Sequence, residues 1–277
     1  MFLTYNQWSE SEGVGAQYQR IICMLAIAKY HNLKYIHTPI KIGHNYNNDD
    51  NWSQKWDNMF NIIKLSNNND VDIDKLDKVY NHKLDCKIIN NIVTTTNILY
   101  YLHDPYELYD TNTNSYLSSI QNSIIETYDE INNSRTLIYN KNKINIAIHI
   151  RVYNDYDNNG EYSNYINNIS CRFIFTCDKY EKLINELKDK YLDADIHIFS
   201  QVKYFDLKYK KLRDISNLIF HFDDLDNFDT FHHLCKADVL VLGTSSFSML
   251  AGFYNKNTVI YLPYISPPSL NSWIIYK

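Results

Sequence analysis

Glycine and proline are rare in this sequence, 6 and 5 among 277 residues. A chain that uses so little glycine makes each one informative about where the backbone must turn or be approached closely. Long apolar runs are missing too. No stretch nears the ~18 residues a membrane helix needs, and the start, Met1 to Trp8, lacks the basic and apolar regions of an export signal. Positive charge is not in excess: a net charge of −5, a pI of 6.0 and the lack of any Lys/Arg cluster with interleaved aromatics argue against a nucleic-acid surface. The five cysteines (Cys23, Cys86, Cys171, Cys177, Cys235) are odd in number and scattered, which reads as reduced thiols in a cytosol-like compartment. Cys171 and Cys177 do not match a zinc spacing. The acidic loop of Asp223, Asp224, Asp226 and Asp229 has no histidine at ligand spacing, so no metal site is expected.

What is present is a soluble globular composition, 45% hydrophobic and 21% charged. The length lies between one large domain and two small ones, enough to bury roughly 75% of the unfolded surface. Asn, Ile, Tyr, Lys and Asp are abundant, a bias of AT-rich genomes such as those of giant viruses and some protists. The first forty residues read as an α/β unit. A short apolar piece, Met1 to Tyr5, and a polar loop lead to Gly13-Val-Gly15. A helix from Ala16 to His31 follows, then a strand, Lys34 to Thr38, stopped by Pro39. Residues 43–58, rich in Asn, Asp and Trp, read as a surface loop and the candidate acceptor surface. Short helices are predicted at Asn58–Leu65 and Lys75–Tyr80, a strand within Ile88–Tyr101 and an amphipathic helix over Tyr116–Ile131. The polar stretch 132–142 holds the candidate boundary, giving domains of residues 1–138 and 139–277.

The second half alternates strands with helices. Strands are expected at Ile144–Ile150, Asp195–Phe199, Leu218–His221, Asp238–Leu242 and Thr258–Leu262, and helices at Asp178–Tyr191, Asp229–Lys236 and Phe247–Tyr254. That rhythm implies a parallel, Rossmann-like sheet. Ligands of such sheets bind at the carboxyl ends of the strands. Four pieces meet that condition. Gly243-Thr244-Ser245-Ser246 turns from a strand into a helix, a corner that suits an anion or simply caps the helix. Arg151 follows Ile148-His149-Ile150, where its fork suits a diphosphate or pairs with Asp155 or Asp157. Phe199-Ser200-Gln201 ends another strand. Asp229 either accepts bonds from a base edge or caps its helix. In the first half, Gly13, Gly15 and Gln17 fail the dinucleotide fingerprint, because Tyr18 stands where its third glycine belongs. They read better as a turn that lets the backbone approach a ligand.

In chain order, Gly13-Val-Gly-Ala-Gln17, Ala147-Ile-His-Ile-Arg151, Ile198-Phe-Ser200 and Leu234 to Ser248 resemble the superfamily of α-1,2-, α-1,6- and protein O-fucosyltransferases. The α-1,2 branch is most similar, through Ser245-Ser-Phe-Ser248. The resemblance implies a GT-B fold, two Rossmann-like domains facing across a cleft. The N-terminal one would lie on the side of a glycan or glycoconjugate acceptor, and the C-terminal one would seat GDP-fucose. It implies inverting, metal-independent transfer without a cofactor. Arg151 matches the family arginine on the diphosphate and His149 its strand partner. Thr244, Ser245, Ser246 and Phe247 match the phosphate-binding turn, and Asp229 falls near the acidic residue facing the base. For the catalytic base, Glu12 beside the glycine turn is favoured over Asp155, with an exposed loop carboxylate as the plain alternative. The sequence departs from the pattern at Val152, where a second arginine is frequent, at Gln201-Val202, where acidic residues are usual, and at Thr244, where Asn is common.

Overall fold

A computed structural model of the chain describes residues 2–6, 13–40, 51–83, 97–105, 115–152, 175–201, 205–206, 208–222, 224–262 and 270–276. The chain forms two compact units. One is Met1–Ser134 with Ser266–Asn271, the other Arg135–Ile265 with Ser272–Lys277.

In the first unit, β1 (Phe2–Tyr5) precedes α1 (Val14–Tyr30), which returns the chain to β2 (Lys34–Tyr35). Next come α2 (Trp52–Phe60), β3 (Asp77–Lys83), β4 (Ile98–Asp104) and α3 (Gln121–Asn132). The strands make one parallel sheet in the order β2-β1-β4-β3. Helix α1 is buried along most of its length, and Asn32 closes it in the left-handed conformation with φ 54° while Leu33 N–H donates to Ala28 C=O at 2.7 Å. That closure drops the chain into β2 beside β1. Among the described residues, every non-glycine with positive φ is an asparagine: Asn32, Asn61, Asn97 and Asn217. Asparagine tolerates this region better than other side chains, so in a glycine-poor chain it makes the turns that glycine usually makes.

Several expectations are corrected here. Residues 52–58 are helix rather than surface loop, and Trp52 and Trp56 are 5% and 0% exposed, so both pack in the core and neither forms an acceptor surface. The apolar spacing of Trp52, Trp56, Met59 and Phe60 carried that signal. Lys75–Tyr80 is not a helix. Asp77 opens β3, an edge strand whose polar residues hide its pairing with β4. The helix expected over Tyr116–Ile131 is interrupted: residues 115–118 are helical, 119–120 form a turn, and α3 begins at Gln121. Helix α1 begins at Val14, which puts Gly15 inside its first turn. The predicted strand residues 92–96 and the first part of the 43–58 loop lie outside the described residues.

The second unit comprises β5 (Asn145–His149), α4 (Cys177–Lys190), β6 (Asp195–Ser200), β7 (Leu218–Phe222), α5 (Asn227–Lys236), β8 (Val239–Val241), α6 (Ser246–Tyr254), β9 (Thr258–Tyr261) and β10 (Ile274–Ile275). All six strands are parallel, in the order β10-β9-β8-β5-β6-β7. Numbered within the unit, that is 6-5-4-1-2-3, the Rossmann strand order. Ile146, Ile148, Ile196, Ile198, Val239, Val241 and Ile260 pack from one face with Tyr180, Leu183, Ile184 and Leu187 of α4. The opposite face carries Ala147, His149, His197, Phe199 and His221, with His233 of α5 against Phe199. Helix α5 is capped by Asp226, whose carboxylate accepts from Asp229 N–H at 2.7 Å, so Asp226 and not Asp229 holds the cap. The N-terminal edge is pinned by Asn145, 4% exposed. Its side chain accepts from Asn140 N–H (3.0 Å) and donates to Asn140 C=O and Lys143 C=O (2.9 Å each).

Replacing Asn145 with alanine strips those bonds from the stretch leading into β5. We expect a loss of about 1–3 kcal/mol in urea unfolding, with an unchanged m-value.

Candidate functional site

The order of the second sheet reverses between β5 and β8, its first and fourth strands. A crevice opens at the carboxyl ends of strands at such a point. The register Ile148↔Val241 brings the end of β5 and the residues beyond it, His149 to Arg151, level with those after β8, Leu242 to Ser246. Gly243 shows how tight the approach is. A Cβ placed there would lie 2.4 Å from His149 O and 2.9 Å from His149 Nδ1. Two backbones therefore touch where the sheet turns, and only glycine fits. Sequence reasoning read Gly243 as part of a turn and did not single it out. The signal available was its rarity.

The corner after β8 is braced by its own side chains. Ser245 Oγ accepts from Phe247 N–H at 3.2 Å, Ser245 N–H donates to Gly243 C=O at 2.8 Å, and Ser248 Oγ–H reaches Gly243 C=O and Ser245 C=O at 3.2 Å each. Capping by Ser245 is thus a fact, and it also aims the positive end of α6 at the carboxyl edge of the sheet. Phe247 joins the corner to its neighbours, 5.9 Å from the His149 ring and 5.3 Å from Phe231 of α5. Thr244 is buried. From β6, Ser200 Oγ–H donates to Ile150 C=O at 2.7 Å, and Ile150 N–H donates to Phe199 C=O at 2.9 Å, so the end of β6 fixes the backbone that presents Arg151.

The electrostatics favour an anion here. His149 is buried and its pKa is pushed down to about 3, first by burial and then by the Arg151 charge. It stands neutral at pH 7, and its Nδ1 has no hydrogen-bond partner among the described residues. Arg151 is partly exposed, while Val152 beside it is 3% exposed and packs in the core under α4. Position 152 thus belongs to the core on the α4 side of the sheet.

The structure brings His149, Arg151, Ser200, Thr244, Ser245, Ser246 and Phe247 to one edge of one sheet. Asp229 stands in the first turn of α5 of the same unit, its carboxylate held by Arg135 at 2.9 Å. Gly13, Gly15 and Gln17 belong to the first unit. Gly13 is the N-cap of α1 at an ordinary φ of −72°, its C=O accepting from Ala16 and Gln17, and Gln17 is fully buried. Glu12 and Asp155 lie outside the described residues. Among the described residues no group of three or more His, Cys, Asp or Glu is arranged to hold a metal, and no helix is long and apolar enough to cross a membrane.

No family model matches the sequence, and no curated protein matches it. Among solved structures the chain is similar to three of POFUT1. They are a complex with GDP-fucose (9% identity over 92% of this chain and 95% of that one, TM-score 0.48), the apo form (8%, 94% and 97%, 0.46) and a complex with GDP (11%, 94% and 98%, 0.45). The parallel strand orders of the two units make the chain an α/β protein.

Two outcomes follow from the corner. Gly243→Ala should cost about 1–3 kcal/mol through overpacking. Gly252→Ala, whose Cβ would meet the movable Trp273 ring at 3.0 Å, should cost less; equal melting temperatures would contradict the backbone contact. The second outcome concerns acid. His149 and His197 (about 4, by burial and the neighbouring His221) bind protons near pH 6.5 when unfolded and resist them when folded. Stability should therefore fall as pH drops from 6.5 to 5, by about 1.4 kcal/mol per pH unit for each, read from urea midpoints.

Proposed function

We propose that the second unit binds the diphosphate of a nucleotide sugar between Arg151 and the corner Thr244–Phe247, and that the protein is a fucosyltransferase-like glycosyltransferase using GDP-fucose. The observation that carries the proposal is the meeting of the β5 and β8 ends at the reversal of strand order, sealed by Gly243 against His149. A cation from one strand and a helix N-terminus from the other then flank the same space, as a diphosphate requires. The motif order supplies the donor, and Asp229 is the proposed partner of its base.

The chemistry is an inverting displacement. An acceptor hydroxyl of a glycan or glycoconjugate attacks the anomeric carbon from the side opposite the diphosphate. The carbon–oxygen bond to the diphosphate breaks, and a carboxylate takes the hydroxyl proton. Glu12 is proposed for that step and Asp155 as its alternative; such a base contributes about 10²–10⁴-fold. Negative charge grows on the leaving GDP, where Arg151 and the α6 terminus stabilise it. Neutral His149 leaves Arg151 as the charge at the end of β5. The proposal includes independence from metal ions, acceptor binding by the first unit, donor binding by Gly13, Gly15 and Gln17, and action in a cytosol-like compartment. One feature favours a second reading, a nucleotide-binding relative without turnover: burial of Val152 leaves a single guanidinium where the family frequently has two.

GDP at millimolar concentration should raise the melting temperature of the wild type, and Arg151→Ala should remove most of that shift. No shift in the wild type would sink the donor assignment. Release of GDP from GDP-fucose, and from no other nucleotide sugar, in the presence of EDTA would support the first reading. Binding without release on any acceptor array would support the second.

A further inference from the structure

The segment Arg135–Asn140, by which the chain comes into the second unit, is held on α5 by three polar contacts. Arg135 Nη1 donates to Asp229 Oδ1 at 2.9 Å, Ile138 N–H donates to His233 Nε2 at 2.9 Å, and Tyr139 O–H donates to His233 C=O at 2.8 Å. The middle contact sets a chemical condition. A backbone N–H can only donate, so His233 Nε2 must offer a lone pair. Its Nδ1 lies 2.6 Å from Asp229 C=O, which can only accept, so Nδ1 carries the proton. The segment docks on the neutral Nδ1–H tautomer of His233 and on no other.

A second histidine lies against the same segment. The Tyr139 ring stands edge-on to His233 at 5.2 Å and to His197 at 4.9 Å. His197 Nδ1 is 3.0 Å from His221 Nε2, and His221 Nδ1 is 2.8 Å from Asp224 Oδ2. Asp224 thereby engages one end of this chain, and His197 Nε2 at the other end is buried with no hydrogen-bond partner among the described residues. A proton placed there meets no acceptor among them while Tyr139 stays docked.

We propose that His233 and His197 form an acid-released latch: a proton on His233 Nε2 breaks the Ile138 bond, a proton on His197 puts a cation against Tyr139, and the segment 135–140 leaves α5 as the pH falls. The charged surroundings are mixed. Asp229, Asp224 and Asp195 favour protonation, the last also paired with Lys143 at 2.9 Å, while His221 and the histidines themselves oppose it. Arg135 is engaged by Asp229. The Tyr139 hydroxyl, near Cys235 and Asp238, stays protonated because burial holds its pKa well up. Burial is the largest influence on both histidines and lowers both, so the docked state excludes protons that the undocked state accepts.

Hydrogen exchange of the full chain tests this directly, because the Ile138 amide is itself a latch bond. After correction for intrinsic exchange, its opening constant should rise between pH 6.5 and 5 by tenfold per pH unit if one proton is taken up, and hundredfold if two are. His233→Gln keeps an acceptor for Ile138 but takes no proton, and should lower that slope by one factor of ten. Tyr139→Phe should raise opening at every pH with the slope unchanged. The Leu242 amide on Ile260 C=O, inside the second sheet, opens with global unfolding and should stay less open than Ile138 at every pH, because release of the segment precedes loss of the sheet. A flat wild-type response, or a wild-type slope in His233→Gln, would overturn the latch. Nitrogen-15 spectra need no variant: a His233 ring protonated on Nε2 at neutral pH would overturn it as well.

Discussion

The contact of Gly243 with the backbone of His149 is the constraint on which the second unit turns. Strands β6 and β7 and helices α4 and α5 lie between β5 and β8 in sequence, yet the ends of β5 and β8 meet closely enough that a methyl group would enter the His149 carbonyl. The meeting places Arg151 and the start of α6 on one edge. It also fixes the state of His149, which is buried by the approach and kept neutral beside a cation. Site geometry and local electrostatics thus share one steric cause. Ser200 extends the arrangement to a third strand by holding the Ile150 carbonyl.

Legibility in the sequence followed burial. The strands of the second unit are covered on both faces by α4 on one side and α5 on the other, so Ile144–Ile150, Asp195–Phe199 and Asp238–Leu242 read as near-continuous apolar runs. Their ends located Arg151, Ser200 and the serine corner without a structure. The first unit was harder. Strand β3 lies at an edge, and Asp77, Lys78 and Asn81 give it no apolar signature, so its pairing with β4 is visible only in three dimensions. Helix α2 was hidden by composition, because its tryptophans sit among Asn and Asp. Gly243 was overlooked for a different reason. Its constraint comes from a residue 94 positions earlier in the sequence, and no local pattern encodes a contact of that range.

The two faces of the second sheet carry different chemistry. Behind α4 the packing is aliphatic and aromatic. On the α5 side, His149, His197, His221 and His233 lie in a layer with Phe199 and Tyr139. His233 satisfies backbone groups of Ile138 and Asp229, and His197, His221 and Asp224 are linked side chain to side chain. The layer combines the shape of an aromatic core with a proton affinity that a phenylalanine core lacks.

The four left-handed asparagines and the crowded Gly243 answer two different demands of the backbone. Glycine codons are rich in G and C, asparagine codons rich in A. Where the backbone asks only for a positive φ, as at Asn32, Asn61, Asn97 and Asn217, the exchange of one for the other leaves the turn in place. Where it asks for empty space, as at Gly243, asparagine is as unwelcome as alanine. A bias towards A-rich codons can therefore be absorbed at the turns of this fold, whereas at Gly243 atoms, rather than angles, leave no choice.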